Sequence, residues 1–491
     1  MERRMGQGIF KISNLRKTYY YLRKNGLKNA YYAALERIMS EKESPYHYEP
    51  PEEDRLAQQK AAGSNYHYKF SILVPAYETK TEYLREMVES VLGQSYGNLE
   101  LIIADASRSG QVRELIKTYN DSRLRYLPLK ENGGISENTN RALEAAEGDY
   151  VGLLDHDDVL TPDALYEMAA VIKERENNGN TPWLLYSDED KGNGKLTEFY
   201  EPHFKPELNV DLLLSNNYIC HFTVMKRELI QELGFRTAYD GAQDYDLVLR
   251  AVGKLLYEDE ADGRQSREGR NAVVHVPKVL YHWRCHDSST AENPESKRYA
   301  YEAGKRALED FLRARGWQGT VCHTKHLGFY RIDYGRNLFR QRRDVGAAAG
   351  RLLDGRKRIY GGAFDETGKR LYAGLHGNFS GYMHRAVLQQ EVYAADIRRM
   401  RVRKELWPAF EEIFGVPYQE DGDGWFDCAV MEKRAETEMH PQRSKGLQPS
   451  GISRERRKKC MEFGRRVRRE GYTVVWMPED TGKREKRYGK K

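Results

Sequence analysis

Three aspartates, Asp155, Asp157 and Asp158, fall within four positions in YVGLLDHDDVL, Tyr150 to Leu160. Carboxylates this close raise one another's pKa unless a cation lies among them. The run climbs through apolar residues first, so the cluster sits where a strand ends. Alternation puts Asp155 and Asp157 on one side and His156 on the other, a spacing suited to a divalent metal that bridges a diphosphate. An apolar strand followed by Asp-x-Asp is also the local pattern of aspartate-nucleophile phosphatases. Their motif ends the first strand of its domain and continues Gly-Thr, whereas here it ends about the fourth and continues Asp158-Val159. Capping the next helix is a third use, but Thr161, with Pro162 in the first turn, already supplies that.

Other side chains could serve the same chemistry. Gln243-Asp244 opens the apolar helix DLVLRAV; Asp244 there suits a general base or simply a helix N-terminus, and Asp246 points away from it. Asp188 and Glu189 follow the strand-like WLLYS and suit sugar hydroxyls or a second metal contact. In YHWRCH, strand alternation gathers His282, Arg284 and His286 on one face, imidazole for a metal and guanidinium for phosphate oxygens. Glu78, Asp105 and Asn132 each fall just past a strand end, although Glu78 reads equally as an ordinary loop carboxylate. Gly133 and Gly134 let the backbone approach a ligand, as they would in a plain turn.

These residues need a frame, and from Lys69 onward the sequence provides one. FSILVPAY, LELIIAD, LRYLPL and YVGLLD read as strands, separated by helices TEYLREMVESVLG, QVRELIKTYN and ISENTNRALEAAEG. Strands and helices alternating at this spacing predict an α/β domain with a mostly parallel central sheet, whose ligands gather at the carboxyl ends of the strands. Before it, residues 1 to 68 read as basic amphipathic helices followed by the proline-bearing linker SEKESPYHYEPPEEDRLAQQK.

Length allows two or three domains: 491 residues, 31% of them charged. The net charge of +6 divides into +7 over residues 1–40, +11 over 441–491 and −12 between them. Basic ends suggest an anionic membrane surface and a peripheral place on the inner face of the plasma membrane; nucleic acid is disfavoured because no recognisable binding module accompanies them. No apolar run is long enough to span a bilayer and the N-terminus lacks a signal-peptide core, so the expected location is cytoplasmic. Five scattered cysteines without a CxxC pair indicate neither a disulfide framework nor a thiolate zinc site.

The blocks VPAYE, IIAD, ENGGISENTN, GDYVGLLDHDD, GAQDYDLVLR and YHWRCHDSST, in that order over residues 69–315, resemble the family 2 glycosyltransferases with the GT-A fold. The likeness is strongest to bacterial members that build rhamnose-containing and other surface polysaccharides. It implies metal-dependent, inverting transfer of a hexosyl or deoxyhexosyl group from a UDP- or dTDP-linked donor to a hydroxyl of a glycan or lipid-linked glycan. Asp105 would then accept from the imide N–H of the base, with Pro75, Ala76, Tyr77 and Glu78 lining base and ribose. Asn132, Gly133, Asp155 and Arg284 would complete the nucleotide-sugar site, and Asp155, Asp157, His282 and His286 would hold Mn2+ or Mg2+. Asp244 would be the base, and Asp188, Glu189 and Gln243 would meet the acceptor. The chain departs from the family in Ala106-Ser107-Arg108, where a second Asp and Gly-Ser are usual. It departs again in Gln243, an amide that cannot act as a base.

Residues 316–491 are expected to form a degenerate second glycosyltransferase-like region with a basic tail. VMKRELIQELGFR from Val224 is echoed by RVRKELWPAFEEIFGVPY from Arg401, and VVHVPKVLYH from Val273 by TVVWMPED from Thr473, with no second DHDD. That degeneracy, together with Gln243, favours the alternative of a catalytically silent glycan-binding scaffold.

Overall fold

The computed structural model describes residues 12–40, 46–258, 263–285, 298–428 and 452–483. Helix α1 (Ile12–Ser40) bends at Gly26, whose φ of 77° suits a residue without Cβ. Within the stretch expected to be a linker, α2 (Glu53–Gly63) forms instead. It packs on the following domain: Arg55 pairs with Glu167, and Gln59 donates to the same carboxylate.

The central domain alternates as its sequence pattern requires: β1 (Phe70–Ala76), α3 (Thr81–Leu92), β2 (Leu99–Asp105), α4 (Gln111–Ile116), β3 (Leu124–Pro128), α5 (Ile135–Glu144) and β4 (Tyr150–Leu153). There follow β5 (Val159–Leu160), α6 (Ala164–Asn177), β6 (Leu184–Asn193), β7 (Phe199–His203), β8 (Thr223–Lys226), α7 (Arg227–Leu233), α8 (Gln243–Tyr257) and β9 (Val273–Cys285). β2 is buried along its whole length, as a strand covered on both faces must be. Its one carboxylate off the rim, Glu100, is tolerated because it accepts from Ser71 Oγ and pairs with Arg125.

The strands run in the order β3-β2-β1-β4-β8-β6-β9-β5, with β7 on β6. Pairing is parallel from β3 to β4, turns antiparallel at β8, and is parallel again between β6 and β9, so the sheet is mixed beyond β4. Opposite Ala76 lies Asp105, which faces Pro128 in turn, while Leu73 pairs with Leu153. These registers bring the residues after β1, β2 and β4 to one rim.

Two local expectations change. α6 starts at Ala164, and Thr161 donates its hydroxyl to Asp163 without capping the helix. The acidic run Asp188 to Asp190 lies inside β6, not after it.

Beyond residue 316, strands Val345–Leu353 and Thr473–Lys483 pair in parallel as β6 and β9 do, and Met400–Val402 lies antiparallel on the first as β8 does on β6. Helix Trp407–Phe414 follows Met400–Val402, and Arg454–Arg469 precedes Thr473–Lys483, in the positions of α7 and α8. Arg342 joins the two regions: fully buried, it makes paired bonds to Asp211 and to Asp344. Among the described residues no helix is long and apolar enough to cross a membrane.

Candidate active site

The rim over the parallel strands carries the loops the sequence singles out. Asp105 closes β2 with a buried carboxylate that accepts from Tyr126 Oη at 2.7 Å and from the Ser107 N–H at 2.9 Å. Pro75 and Ala76 end β1, and Tyr77 beyond them is half exposed. Glu78, at φ 49°, accepts from the Arg108 and Ser109 N–H groups. The Ser109 hydroxyl, with those N–H groups, holds its carboxyl below the usual range. Glu78 therefore braces the loop after β2. In the Asn132-Gly133-Gly134 turn, Asn138 donates to Asn132 Oδ1 and accepts from the Gly133 N–H. Gly134 sits at φ 91°, a backbone conformation that residues with a Cβ rarely adopt.

The three aspartates have different surroundings. Asp158 is buried and accepts from the Tyr281 hydroxyl and the Arg284 N–H, and burial pushes its carboxyl well up. Asp155 is raised by the same cause, and the nearby His221 draws it part of the way back. Asp157 is about a quarter exposed.

Arg284 does not face the cleft. It is completely buried under the aspartate loop, where Nε donates to the Asp157 carbonyl at 2.5 Å, Nη1 to the Gly194 carbonyl, and Glu86 lies 2.7 Å away. Its Nη2 has no partner, but a guanidinium buried completely under the loop positions that loop and is not presented to a diphosphate, which corrects the expected role.

His282 also differs from expectation. Its Nδ1 lies 2.6 Å from Asp190 Oδ1, and Tyr48 and Phe199 pack on its ring. It forms no group of three ligand atoms with Asp155 and Asp157. His286 falls outside the described residues.

The histidine the sequence reading missed is His221. Its Nε2 lies 3.9 Å from Asp155 Oδ2 and its Nδ1 3.3 Å from Glu189 Oε2. Among the described residues, Cys220, His221 and Asp244 form the only group of three whose potential ligand atoms lie within 4.8 Å of one another. Cys220-His221 sits in a loop between β7 and β8 with no motif around it, so no sequence signal marked it. Burial disfavours a charged His221 ring, but Cys220 and Glu189 draw its pKa well above the ordinary imidazole value. Burial also pushes the Cys220 thiol up and keeps it protonated, which leaves the Glu189 carboxylate as the effective partner.

The expected acceptor carboxylates are likewise committed below the cleft floor. Asp188 accepts from the Lys205 N–H and lies 2.8 Å from His275 Nε2. Glu189 is paired with His203, Lys205 and His221; burial alone would raise its carboxyl, and the Lys205 charge, the His203 hydrogen bond and His221 bring it well below the usual range. Buried and paired, Asp188 and Glu189 shape the floor and offer little to a sugar. Asp244 opens α8 with a partly exposed carboxylate that accepts from Asn217 Nδ2 at 3.1 Å, while Asp246 points inward to Arg236 and Arg250. Gln243 turns back to accept from the Gly241 N–H.

Residues 71–234 match the family described as glycosyl transferase family 2. Over 246 residues the chain is 41% identical to an uncharacterized protein, y4gI, of Sinorhizobium fredii, covering 49% of this chain and 25% of that one. Over 268 residues it is 31% identical to the O-antigen biosynthesis protein RfbC of Myxococcus xanthus, covering 54% and 19%. Over 194 residues it is 31% identical to the amylovoran biosynthesis glycosyltransferase AmsB of Erwinia amylovora, covering 37% and 63%. The chain thus spans a quarter or less of the first two relatives.

Proposed function

Because the chain carries a glycosyl transferase family 2 domain over residues 71–234, we propose that it transfers a sugar from a nucleoside-diphosphate donor to a glycan hydroxyl in polysaccharide biosynthesis. The observation that carries this reading is the meeting of three strand-end loops, holding Glu78, Asp105 and Asp155, at one rim, with His221 3.9 Å from Asp155 and grouped with Asp244.

Asp105 presents an acceptor at the rim for the base imide of a UDP- or dTDP-linked donor, with Pro75, Ala76, Tyr77 and Glu78 beside it. Asn132 and Gly133 shape the turn facing it. A divalent metal suits the hard carboxylate oxygens of Asp155 and Asp157, with His221 Nε2 3.9 Å from Asp155 Oδ2 as the imidazole beside them. Mn2+ or Mg2+ held there would neutralise charge on the leaving diphosphate.

Asp244, oriented by Asn217, takes the proton from the acceptor hydroxyl as that oxygen attacks the anomeric carbon. Direct attack opposite the leaving group inverts the anomeric centre and needs no covalent enzyme intermediate. Gln243 and the exposed edge of the cleft receive the acceptor, a glycan or lipid-linked glycan. The basic N-terminal segment is assigned to an anionic membrane surface; removing residues 1–40 then abolishes binding to anionic liposomes.

Calorimetry with UDP and with dTDP, each with and without Mn2+, tests the donor site. Metal-dependent binding that disappears in Asp157→Ala is the expected result, and no binding of either nucleotide overturns the reading.

A further inference from the structure

A cavity of about 390 Å3 lies in the C-terminal region and shares no residue with the cleft. Its walls come from the segment after strand Thr320–His323, from strand Val345–Leu353 and from the turn at Gly377–Asn378. Three fixed cations line it, Lys325, Arg331 and Arg351, against one carboxylate, Glu479.

Two of its donors are buried without partners. Arg351 gives Nη1 to the Gly377 carbonyl, but its Nε has no acceptor, and Asn378 Nδ2 has none either. Buried N–H groups are almost always matched, so a pair of orphans in a positively charged cavity marks the place of a missing acceptor. Lys325 spends one N–H on the Asn378 carbonyl at 3.3 Å and retains two more. Burial pushes this lysine's pKa down, a cost that a bound anion would offset.

The cavity is also held open. Glu36 of α1 accepts from the Ser380 and Gly381 N–H groups, and Tyr32 stacks on His376 at 4.8 Å, fixing the turn that carries Asn378.

We propose that this cavity is a second anion site that binds a phosphate group through Lys325, Arg351 and Asn378. Several N–H donors converging from three directions suit an oxyanion with many acceptor oxygens. The phosphate has two possible sources with one chemistry: a free diphosphate, or the diphosphate of a carrier-linked glycan. The inference stands apart from the donor-site reading.

The test is calorimetry on the full chain with inorganic pyrophosphate in EDTA, which silences any metal-dependent binding at the cleft. Saturable binding is expected, weakened at least about tenfold in Arg351→Gln and in Lys325→Gln. Both variants should bind UDP with Mn2+ as the wild type does, which shows that they fold. Tighter binding of a short-chain isoprenyl diphosphate than of pyrophosphate points to a carrier-linked ligand, and equal binding to a free diphosphate. No pyrophosphate binding, or binding unchanged in both variants, overturns the proposal. Pyrophosphate binding that persists when UDP fails to bind leaves this site standing and removes only the donor reading.

Discussion

His221 stands between two carboxylates, its Nε2 3.9 Å from Asp155 and its Nδ1 3.3 Å from Glu189. The buried Glu189 fixes the ring from below and turns Nε2 toward the aspartate loop, the arrangement in which a carboxylate orients a metal-binding imidazole. His221→Ala should therefore weaken Mn2+-dependent UDP binding by at least about tenfold, and Glu189→Gln by about 10- to 100-fold through loss of that orientation. Titration of Mn2+ at fixed UDP checks both. Wild-type metal affinity in His221→Ala would remove it from the metal site.

Asp244 is assigned the proton transfer, and its neighbour Asp246 serves as the control. Asp244→Asn should lower kcat by about 10^2- to 10^4-fold with donor affinity unchanged. Asp246→Asn instead leaves Arg236 and Arg250 without their shared carboxylate and should lower stability before it lowers chemistry. Single-turnover transfer alongside UDP binding separates the two. Full turnover by Asp244→Asn would show that another group is the base.

Most of the rim was legible because period-two and helical patterns fix where strands end: β2 ends where the pattern says, and β1, β3 and β4 stop one or two residues short of it. The errors concern residues whose role depends on what lies across the sheet. Arg284 and His282 sit on the expected strand, but register sets Arg284 under the Asp157 carbonyl and His282 opposite Asp190. Asp188 and Glu189 read as a loop cluster because charged residues end most strands. Here Lys205, His203 and His275, brought in from other segments, pair with them inside β6. His221 was invisible for the same reason: its importance comes from Asp155, which lies 66 positions earlier in the chain.

Because Arg284 supports the aspartate loop from beneath, it should matter through geometry. Arg284→Met leaves the Asp157 and Gly194 carbonyls without donors and the half-exposed Glu86 without its partner, and should cost about 1–3 kcal/mol for each buried carbonyl. Arg284→Lys should recover only part, since one ammonium cannot serve three directions in a plane. Urea denaturation gives the stability difference. A near-neutral Arg284→Met would mean that the loop is held by other contacts.

Arg342 tests the joint between the two regions. Its guanidinium is sandwiched by Asp211 and Asp344 and stacks on Trp317 at 4.6 Å. Arg342→Leu strands two buried carboxylates and should cost about 3–5 kcal/mol, part of which returns when Asp211→Asn and Asp344→Asn are added. Equilibrium unfolding of the single and triple variants reads this directly. A triple variant no more stable than Arg342→Leu would show that packing, not charge, is lost.

His384 makes stability depend on pH. The ring stacks on His326 at 3.7 Å and meets Phe329 edge-on, and burial, with Lys325 nearby, lowers its pKa to about 4. The unfolded chain takes up this proton near pH 6.5, whereas the folded chain resists it until about pH 4. Stability from keeping the ring neutral is therefore complete above pH 6.5 and falls as the pH drops through that window, by roughly 3 kcal/mol in all. In His384→Gln that component is absent, so the variant should gain on the wild type as pH is lowered from 6.5 to 4. Denaturation curves at half-unit steps measure the difference, and parallel wild-type and variant profiles would show that His384 titrates normally in the folded state.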